Sequence, residues 1–164
     1  MANNIQKIEI RGAHIARRNF RGEERRWQGR VINSEGNRNF ILILPDEMVG
    51  ELISEGWNVK QFKPSEDGEP GDYFINVKVH FGYKPPTIWL VSTKPDGTKT
   101  RTRLDEDTVG ELDFADIVDV KILVKPVVRQ STFTGEDMVT AYLETMYVEI
   151  ESSDPFAELY DFEE

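Results

Sequence analysis

Hydrophobic and polar positions alternate along several stretches of the chain, and this pattern predicts a protein built mainly from β-strands. In Tyr73–Phe81 every second residue from Ile75 onward is apolar, as expected for a strand with one buried face. Phe40–Leu44 is apolar throughout, which is typical of a strand buried on both faces. Further extended segments are predicted at Ile5–Phe20, Trp57–Lys63, Thr87–Thr93, Thr98–Arg103, Ile117–Val128 and Met138–Ile150.

Three segments depart from the strand pattern. Asp46–Glu55 carries its apolar residues three and four positions apart, and Gly56 supplies a stop, so a helix is predicted there. Leu104–Leu112 is predicted as a second, shorter helix, because the acidic residues of its first turn favour the helix dipole. Arg17–Arg38 is rich in Arg, Gly and Asn, and it is predicted to form a long exposed β-hairpin or loop.

The order of these elements predicts the fold class. Sequential strands joined by hairpins favour an antiparallel sheet, and the chain shows no repeated alternation of strand and helix. We predict a mainly β, OB-fold-like antiparallel barrel over residues 1–150, with one inserted short helix. A β-sandwich is the alternative that the pattern leaves open.

The composition excludes several kinds of site. The chain has 164 residues, the usual size of one domain, and it contains no cysteine and two histidines. Disulfides, thiolate metal sites, a cysteine nucleophile and a histidine-rich metal site are therefore excluded. The first residues form no apolar leader and no apolar run reaches the length of a membrane span, so we expect a cytoplasmic protein without a membrane partner.

Charge is divided unevenly along the chain. The net charge is −10, which taken alone argues against a nucleic-acid partner. Residues 1–44, however, hold nine basic and four acidic residues, whereas residues 144–164 hold eight acidic residues and no basic one. A basic N-terminal part joined to an acidic C-terminal end indicates nucleic-acid binding by a protein with an acidic tail.

Arginine and aromatic residues are interleaved between Arg17 and Phe40. Guanidinium groups suit phosphate oxygens and aromatic rings stack on any base, so this segment is predicted to bind single-stranded nucleic acid. The alternative is a charged exposed hairpin with Phe20 and Phe40 in the core, and we expect Phe40 to be a core residue. The residues of this segment predicted to contact DNA are Arg17, Arg18, Phe20, Arg21, Arg25, Arg26, Trp27, Arg30 and Arg38.

Basic residues beside aromatic rings recur on two later strand segments. They are weaker candidates, since alternating lysines are often simply the solvated face of a strand. The additional predicted DNA contacts are Lys60, Phe62, Lys78, Lys84 and Trp89.

Acidic residues cluster between Asp105 and Asp119, as a Mg²⁺-dependent nuclease would require. No catalytic lysine or histidine motif accompanies this cluster, and the chain lacks the common nucleotide-binding, serine hydrolase and zinc protease motifs. A solvated surface explains the cluster better. We therefore expect no enzymatic activity, no metal and no cofactor.

Residues 151–164 are predicted to form an acidic flexible tail, because their composition does not support a stable fold. The tail could lie on the arginine-rich groove as a nucleic-acid mimic, or it could place an aromatic ring in a pocket of a partner protein. A solubilising tail and a short terminal helix packed on the barrel are the alternatives. The predicted partner-binding residues are Phe156, Tyr160, Asp161, Phe162, Glu163 and Glu164.

Several short motifs follow one another across almost the whole chain. They are RNFRG (Arg18–Gly22), RNFILIL (Arg38–Leu44), GWNVK (Gly56–Lys60), INVKVHF (Ile75–Phe81) followed by Pro85-Pro86, ELDFADI (Glu111–Ile117) and AYLETMYV (Ala141–Val148). With the acidic end, this order resembles the small single-stranded-DNA-binding proteins of tailed bacteriophages. The resemblance implies an OB-fold, coating of single strands, and an acidic aromatic tail that recruits replication or recombination proteins. Here two glutamates follow Phe162, whereas a docking mode that needs a terminal aromatic carboxylate would end on the ring.

The resulting hypothesis is a sequence-independent single-stranded-DNA-binding protein of phage DNA replication or recombination, acting in the cytoplasm of an infected bacterium. Its tail would recruit replication proteins and compete with DNA. The main alternative is a non-enzymatic protein-interaction module, such as a phage assembly or regulatory factor, that uses the basic hairpin. A nuclease and a preference for duplex DNA or RNA are further alternatives, and the oligomeric state is open.

Overall fold

The described chain consists of eleven β-strands, one α-helix and one short 3₁₀ helix. The structure is a computed structural model and describes residues 5–82, 84–94, 96–130, 133 and 135–151, so the predicted tail from residue 152 onward lies outside the described residues. The strands are β1 (Ile8–Arg11), β2 (His14–Asn19), β3 (Arg25–Trp27), β4 (Arg30–Asn33), β5 (Arg38–Ile43), β6 (Lys60–Gln61), β7 (Tyr73–Val79), β8 (Thr87–Thr93), β9 (Lys99–Leu104), β10 (Ile117–Gln130) and β11 (Asp137–Ile150). The helix α1 spans Asp46–Glu55 and the 3₁₀ helix spans Val109–Asp113.

Nine strands form one sheet whose two end strands are neighbours in the sequence. The strand order is β1-β10-β11-β7-β5-β2, with β6 added to β7, β8 added to β11, and β9 added to β8. Only Gly12 and Ala13 separate β1 from β2. One N-terminal segment therefore supplies both end strands of the sheet, β1 beside β10 and β2 beside β5. Gly12 adopts φ +68°, a left-handed conformation that glycine tolerates, and the Ala13 N–H donates to the Val120 carbonyl at 2.8 Å. The sheet is not closed by hydrogen bonds, and the fold is mainly β and OB-like, as predicted.

Two strand pairings differ from the predicted antiparallel arrangement. One edge of β11 pairs in parallel with β7 at Ala141 and Tyr142, and then in parallel with β8 from Thr145 to Ile150. The strands β7 and β8 thus follow one another along a single edge of β11. Two strands that run in the same direction need a connection longer than a hairpin, and the segments that lead from β7 and β8 to β11 are long enough to provide it.

The alternation predicted for β7 is confirmed by the burial of its side chains. Ile75, Val77 and Val79 face the core, while Asn76 is exposed and Lys78 is half-buried. Inward residues of β5, β10 and β11 complete this core, so the opposite, outward positions of the same strands are left to form a surface.

The helix α1 begins and ends where the spacing predicts. Its Val49 and Leu52 are buried, and Gly56 ends it at φ 93° with its N–H donated to the Ile53 carbonyl at 3.1 Å. The weaker helix prediction becomes a turn followed by the 3₁₀ helix. No helix among the described residues is long and apolar enough to cross a membrane.

Trp57–Lys63 forms less strand than predicted. Trp57 is buried and makes only one isolated parallel bridge, to Val139, and regular pairing is limited to the two residues of β6. The apolar positions of this segment therefore anchor a connection to the core instead of forming a full strand.

Phe20 is a core residue, which corrects the prediction that its ring stacks on a base. The side chain is 0% exposed and its ring is stacked on that of Phe40, with 5.1 Å between the centroids. A ring enclosed in this way has no face left for a ligand, so Phe20 stabilises the fold.

We expect Phe20→Ala to lower the free energy of unfolding by about 3–5 kcal/mol, because it removes a buried ring and leaves a cavity. Urea unfolding followed by circular dichroism measures this loss. Phe114→Ala is the matched control: Phe114 is 75% exposed, and its loss should change stability by about 0.5 kcal/mol or less. Equal stability of the two variants would contradict the assignment of Phe20 to the core.

Candidate nucleic-acid interface

The predicted exposed hairpin is present as a small sheet of its own. The strands β3 and β4 pair only with each other, through Arg25 to Asn33 and Trp27 to Arg30. The turn consists of Gln28 and Gly29, both at positive φ (50° and 79°), which suits a two-residue hairpin. No other strand of the described residues covers the hairpin, and Trp27 is 65% exposed on the same hairpin as the exposed residues Arg25, Arg26 and Arg30.

The cations of this hairpin differ in what already neutralises them. Arg26 is paired with Glu24 at 3.3 Å, and Arg21, which precedes the hairpin, is paired with Glu23 at 2.9 Å. Neither Arg25 nor Arg30 has a carboxylate partner within the described part of the chain. Arg25 also donates to the Arg18 carbonyl at 3.0 Å, but a carbonyl oxygen does not neutralise its charge. These two arginines are therefore the best placed to neutralise phosphate groups from outside.

Asparagine side chains hold the root of the hairpin. The buried amide of Asn19 both donates to the Glu23 carbonyl (3.0 Å) and accepts from the Glu23 N–H (2.9 Å). Asn33 donates to the same carbonyl at 2.8 Å and accepts from the Asn39 amide at 2.8 Å. This network replaces the backbone pairing that a continuous sheet would supply, and it sets the direction in which the hairpin leaves the main sheet.

The segment that leads into the hairpin is anchored to the 3₁₀ helix. The Asp113 carboxylate accepts hydrogen bonds from the backbone N–H groups of Phe20 (2.6 Å) and Arg21 (3.1 Å). Arg18 donates to the carbonyls of Leu112 (2.6 Å) and Ala115 (2.8 Å). The half-buried guanidinium of Arg18 therefore serves the fold, whereas the sequence predicted a DNA contact there.

Asp105 belongs to the acidic segment that raised the question of a nuclease. A hydrogen bond from the Thr108 hydroxyl (3.0 Å) is the main reason why the pKa of Asp105 lies below its ordinary value. The Asp105 carboxylate accepts hydrogen bonds within its own turn, and the Asp113 carboxylate accepts those of the Phe20 and Arg21 N–H groups. Among the described residues no group of three or more His, Cys, Asp or Glu residues is placed to hold a metal ion.

A row of polar side chains crosses the outer face of the sheet, starting at the root of the hairpin. Asn39 stands opposite Lys78, Lys78 is aligned with Tyr142, and Tyr142 stands opposite Lys125. Residues that stand opposite each other on neighbouring strands point to the same side of the sheet. All four side chains therefore face outward, over a core of Phe40, Val77, Ala141 and Val124.

The row ends in a cationic groove that the sequence analysis missed. The groove has a volume of about 360 Å³ and is lined by His80, Lys84, Lys125, Val127, Arg129, Tyr142 and Leu143. Arg129 donates to the Tyr142 hydroxyl at 3.2 Å and lies 6.0 Å from the centre of its ring. None of these lining residues is acidic, so the groove is a concentrated positive surface with one aromatic face. A sequence signal existed, since Lys121, Lys125 and Arg129 recur on one face of β10.

We call the hairpin, the row and the groove together the hairpin–groove surface. Of the predicted contacts, it brings together Arg25, Arg26, Trp27, Arg30, Lys78 and Lys84. Arg38 lies at the edge of this surface. The Arg38 guanidinium donates to the Phe20 carbonyl at 2.6 Å and lies 5.5 Å from the centre of the Phe81 ring. Arg21 lies 5.5 Å from the centre of the Phe114 ring.

Four predicted contacts lie elsewhere. The Arg17 guanidinium lies 5.3 Å from the ring centre of Phe62. The Phe62 ring is stacked on that of Phe74, with 4.2 Å between the centroids, and Lys60 stands opposite Phe74 in the pairing of β6 with β7. This group sits at the start of β7, about 14 Å along the strand from Lys78. Trp89 lies on β8 beneath Arg101, 5.2 Å from its guanidinium.

Cations and aromatic rings on the outer face of the sheet are typical of OB-folds that bind oligonucleotides. The model of the family described as "Putative phage ssDNA-binding domain" matches residues 1–161, and the chain belongs to this family. The resemblance to phage single-stranded-DNA-binding proteins is thereby confirmed. No curated protein matches the chain.

Three solved structures share the fold. The single-stranded DNA-binding protein from bacteriophage Enc34 has a TM-score of 0.50 and 10% identity over 92% of this chain and 83% of its own. Its C-terminal truncation has a TM-score of 0.51 and 10% identity, with coverage of 88% and 85%. The same protein in complex with ssDNA has a TM-score of 0.50 and 11% identity, with coverage of 92% and 89%.

Proposed function

We propose that this protein binds single-stranded DNA without sequence preference, through the hairpin–groove surface. The observation that carries the proposal is the continuous outward row from Asn39 to Lys125, because it joins the arginine hairpin to the cationic groove. Membership of a phage ssDNA-binding family and the fold shared with a protein solved in complex with ssDNA support the same conclusion.

The chemistry of the surface suits a single strand better than a duplex. Arg25, Arg30, Lys125 and Arg129 supply point charges and guanidinium groups for phosphate oxygens. Trp27 and Tyr142 supply rings on which any base can stack, and stacking requires bases that are not already paired. Contacts of both kinds ignore base identity, so the protein would cover a strand of any sequence.

We place this activity in phage DNA replication or recombination, in the cytoplasm of the infected bacterium. Single strands are exposed there, and a protein that binds them without sequence preference protects them. The acidic aromatic end, with Phe156, Tyr160 and Phe162, is proposed to recruit replication proteins and to compete with DNA for the cationic surface. Its charge supports the second role, since residues 151–164 hold six acidic residues and no basic one.

We expect the protein to bind fluorescein-labelled oligo-dT in fluorescence anisotropy, with equal-length duplex and RNA as weaker competitors. The variant Arg25→Ala/Arg30→Ala should bind roughly tenfold more weakly at low salt, because two unpaired cations are lost. The slope of log K against log[salt] should become shallower by about 1.4, from about 0.7 for each phosphate contact on a single strand.

Lys94→Ala/Lys99→Ala is the matched control, since it removes two cations from the β8–β9 hairpin, outside the hairpin–groove surface. Equal losses in the two double variants would mean that only overall charge matters, against a defined site. Binding of no oligonucleotide by the wild type would refute the proposed function, and a protein partner of the basic hairpin would then be sought.

Tyr142→Leu tests the groove that the sequence did not reveal. We expect the binding free energy for oligo-dT to become less favourable by about 1–3 kcal/mol, which is the contribution of one base stacked on an aromatic ring. Tyr142→Phe keeps the ring and loses only the hydroxyl that accepts from Arg129, so it should bind nearly as tightly as the wild type. Equal affinities of Tyr142→Leu and Tyr142→Phe for oligo-dT would contradict base stacking in the groove.

Removal of residues 151–164 tests the role of the acidic end. The truncated protein should bind oligo-dT more tightly than the full chain, mainly at low salt, because six competing negative charges are gone and electrostatic competition weakens with screening. Anisotropy titrations of both forms across a salt series measure the difference. An unchanged or weaker affinity of the truncated protein would count against competition between this end and DNA.

A further inference from the structure

A second cationic and aromatic row crosses the outer face of the sheet, away from the hairpin–groove surface. It follows the strand order β1, β10, β11, β8 and β9. Arg11 stands opposite Lys121, Lys121 opposite Tyr147, Tyr147 beside Trp89, and Trp89 opposite Arg103. Together with Arg101, which covers Trp89, these residues are called the β8–β9 strip.

The side chains of the strip are accessible. Arg11, Lys121, Arg101 and Arg103 are exposed, and Tyr147 is 38% exposed. Trp89 is half-buried, with the Arg101 guanidinium 5.2 Å from its ring centre. Four cations thus surround two aromatic rings, and Glu9 lies 3.9 Å from Arg11 in an exposed contact.

A β-bulge explains why this row faces outward at all. Tyr142 and Tyr147 are five residues apart on β11, so regular alternation would place them on opposite faces. The register shifts between Leu123 and Val124, where Glu144 is left without an opposite residue. The extra residue returns Tyr147 to the outer face, while Met146 and Val148 remain in the core.

The strip is separate from the hairpin–groove surface. Five residues along β11 correspond to about 17 Å between Tyr142 and Tyr147. The zone between them contains Glu144, whose charge is used in an ion pair with Lys7 at 2.8 Å. Beyond the strip lie Asp119 and Glu149, and Glu149 is paired with Lys99 at 3.1 Å. Carboxylates therefore border the strip along its length and confine its positive potential to one line.

We propose that the β8–β9 strip is a second contact track for single-stranded DNA, which holds a further part of the strand bound at the hairpin–groove surface. This inference rests on the proposed function. A line of cations and rings across five strands, each about 4.8 Å from the next, extends over about 19 Å and fits an extended polyanion with exposed bases. A groove of about 330 Å³ lined by Arg11, Lys121 and Tyr147 forms one part of the strip. The strip continues beyond this groove to Trp89 and Arg103, so it suits an extended chain better than a compact acidic side chain.

The consequence is a dependence on strand length. An oligonucleotide of about 6 nucleotides would fill one surface, whereas one of about 16 would reach both, within the range of site sizes of OB-folds. Arg101→Ala/Arg103→Ala should therefore raise the Kd for oligo-dT of about 16 nucleotides roughly tenfold and leave that of about 6 nucleotides within about twofold. The salt slope for the longer strand should become shallower by about 1.4.

Two further variants make the test specific. Lys63→Ala/Lys94→Ala removes two exposed cations outside the strip, and it should leave both lengths nearly unaffected. Lys121→Ala changes a residue of β10 in the same row. It should also weaken binding of the longer oligonucleotide alone, by a smaller factor. Anisotropy of the full-length protein with both oligonucleotides, at several salt concentrations, measures all of these.

The outcomes separate the strip from the proposed function. If the wild type binds the short oligonucleotide and Arg101→Ala/Arg103→Ala binds both lengths normally, the role of the strip in DNA binding is overturned and the proposed function is not. An acidic protein segment would then be the occupant of the strip. An equal loss at both lengths also overturns a separate track. Failure of the wild type to bind the short oligonucleotide refutes the function of the hairpin–groove surface itself.

Discussion

The pairing of β11 along both of its edges is the constraint on which the rest of the structure depends. One edge is held by β10 along nearly its full length, and the other edge is shared by β7 and β8 in turn. Pairing on both edges fixes the orientation of the strand, so its side-chain directions follow from alternation. The single exception is the bulge at Glu144, and it decides that both Tyr142 and Tyr147 face solvent.

The arginine hairpin depends on a different kind of interaction. Its strands β3 and β4 pair with nothing else in the sheet, and a two-stranded ribbon by itself is marginally stable in water. Side-chain amides of Asn19, Asn33 and Asn39 and the carboxylate of Asp113 supply the missing connections. The hairpin is thus positioned by its root, while its tip, with Trp27 and Arg30, stays available for a ligand.

The separation of charge reconciles a net charge of −10 with a nucleic-acid surface. The field of the whole molecule opposes the approach of DNA, so favourable contact requires cations gathered where the carboxylates are absent or already used. In the groove near Tyr142 none of the described lining residues is acidic, and at the hairpin root Asp113 is occupied by backbone N–H groups. At a Debye length of about 10 Å in 0.1 M salt, such local arrangements outweigh the distant charges.

Alternation and helical spacing in the sequence determined the mainly β class, the helix Asp46–Glu55, and most strand positions, because these depend on contacts between residues close in the chain. The sequence also located the exposed arginine hairpin and, by its motifs, the family. It could not separate Phe20 from Trp27, since an aromatic residue beside arginines looks the same whether it packs inward or points outward. Nor could it show that Arg18 is consumed by two carbonyls, or that Tyr142 joins Lys125 and Arg129 in one groove. Those outcomes are decided in space: Arg18 lies 94 and 97 residues from its carbonyl partners, and the groove depends on the register between β10 and β11, which the alternation of each strand does not specify.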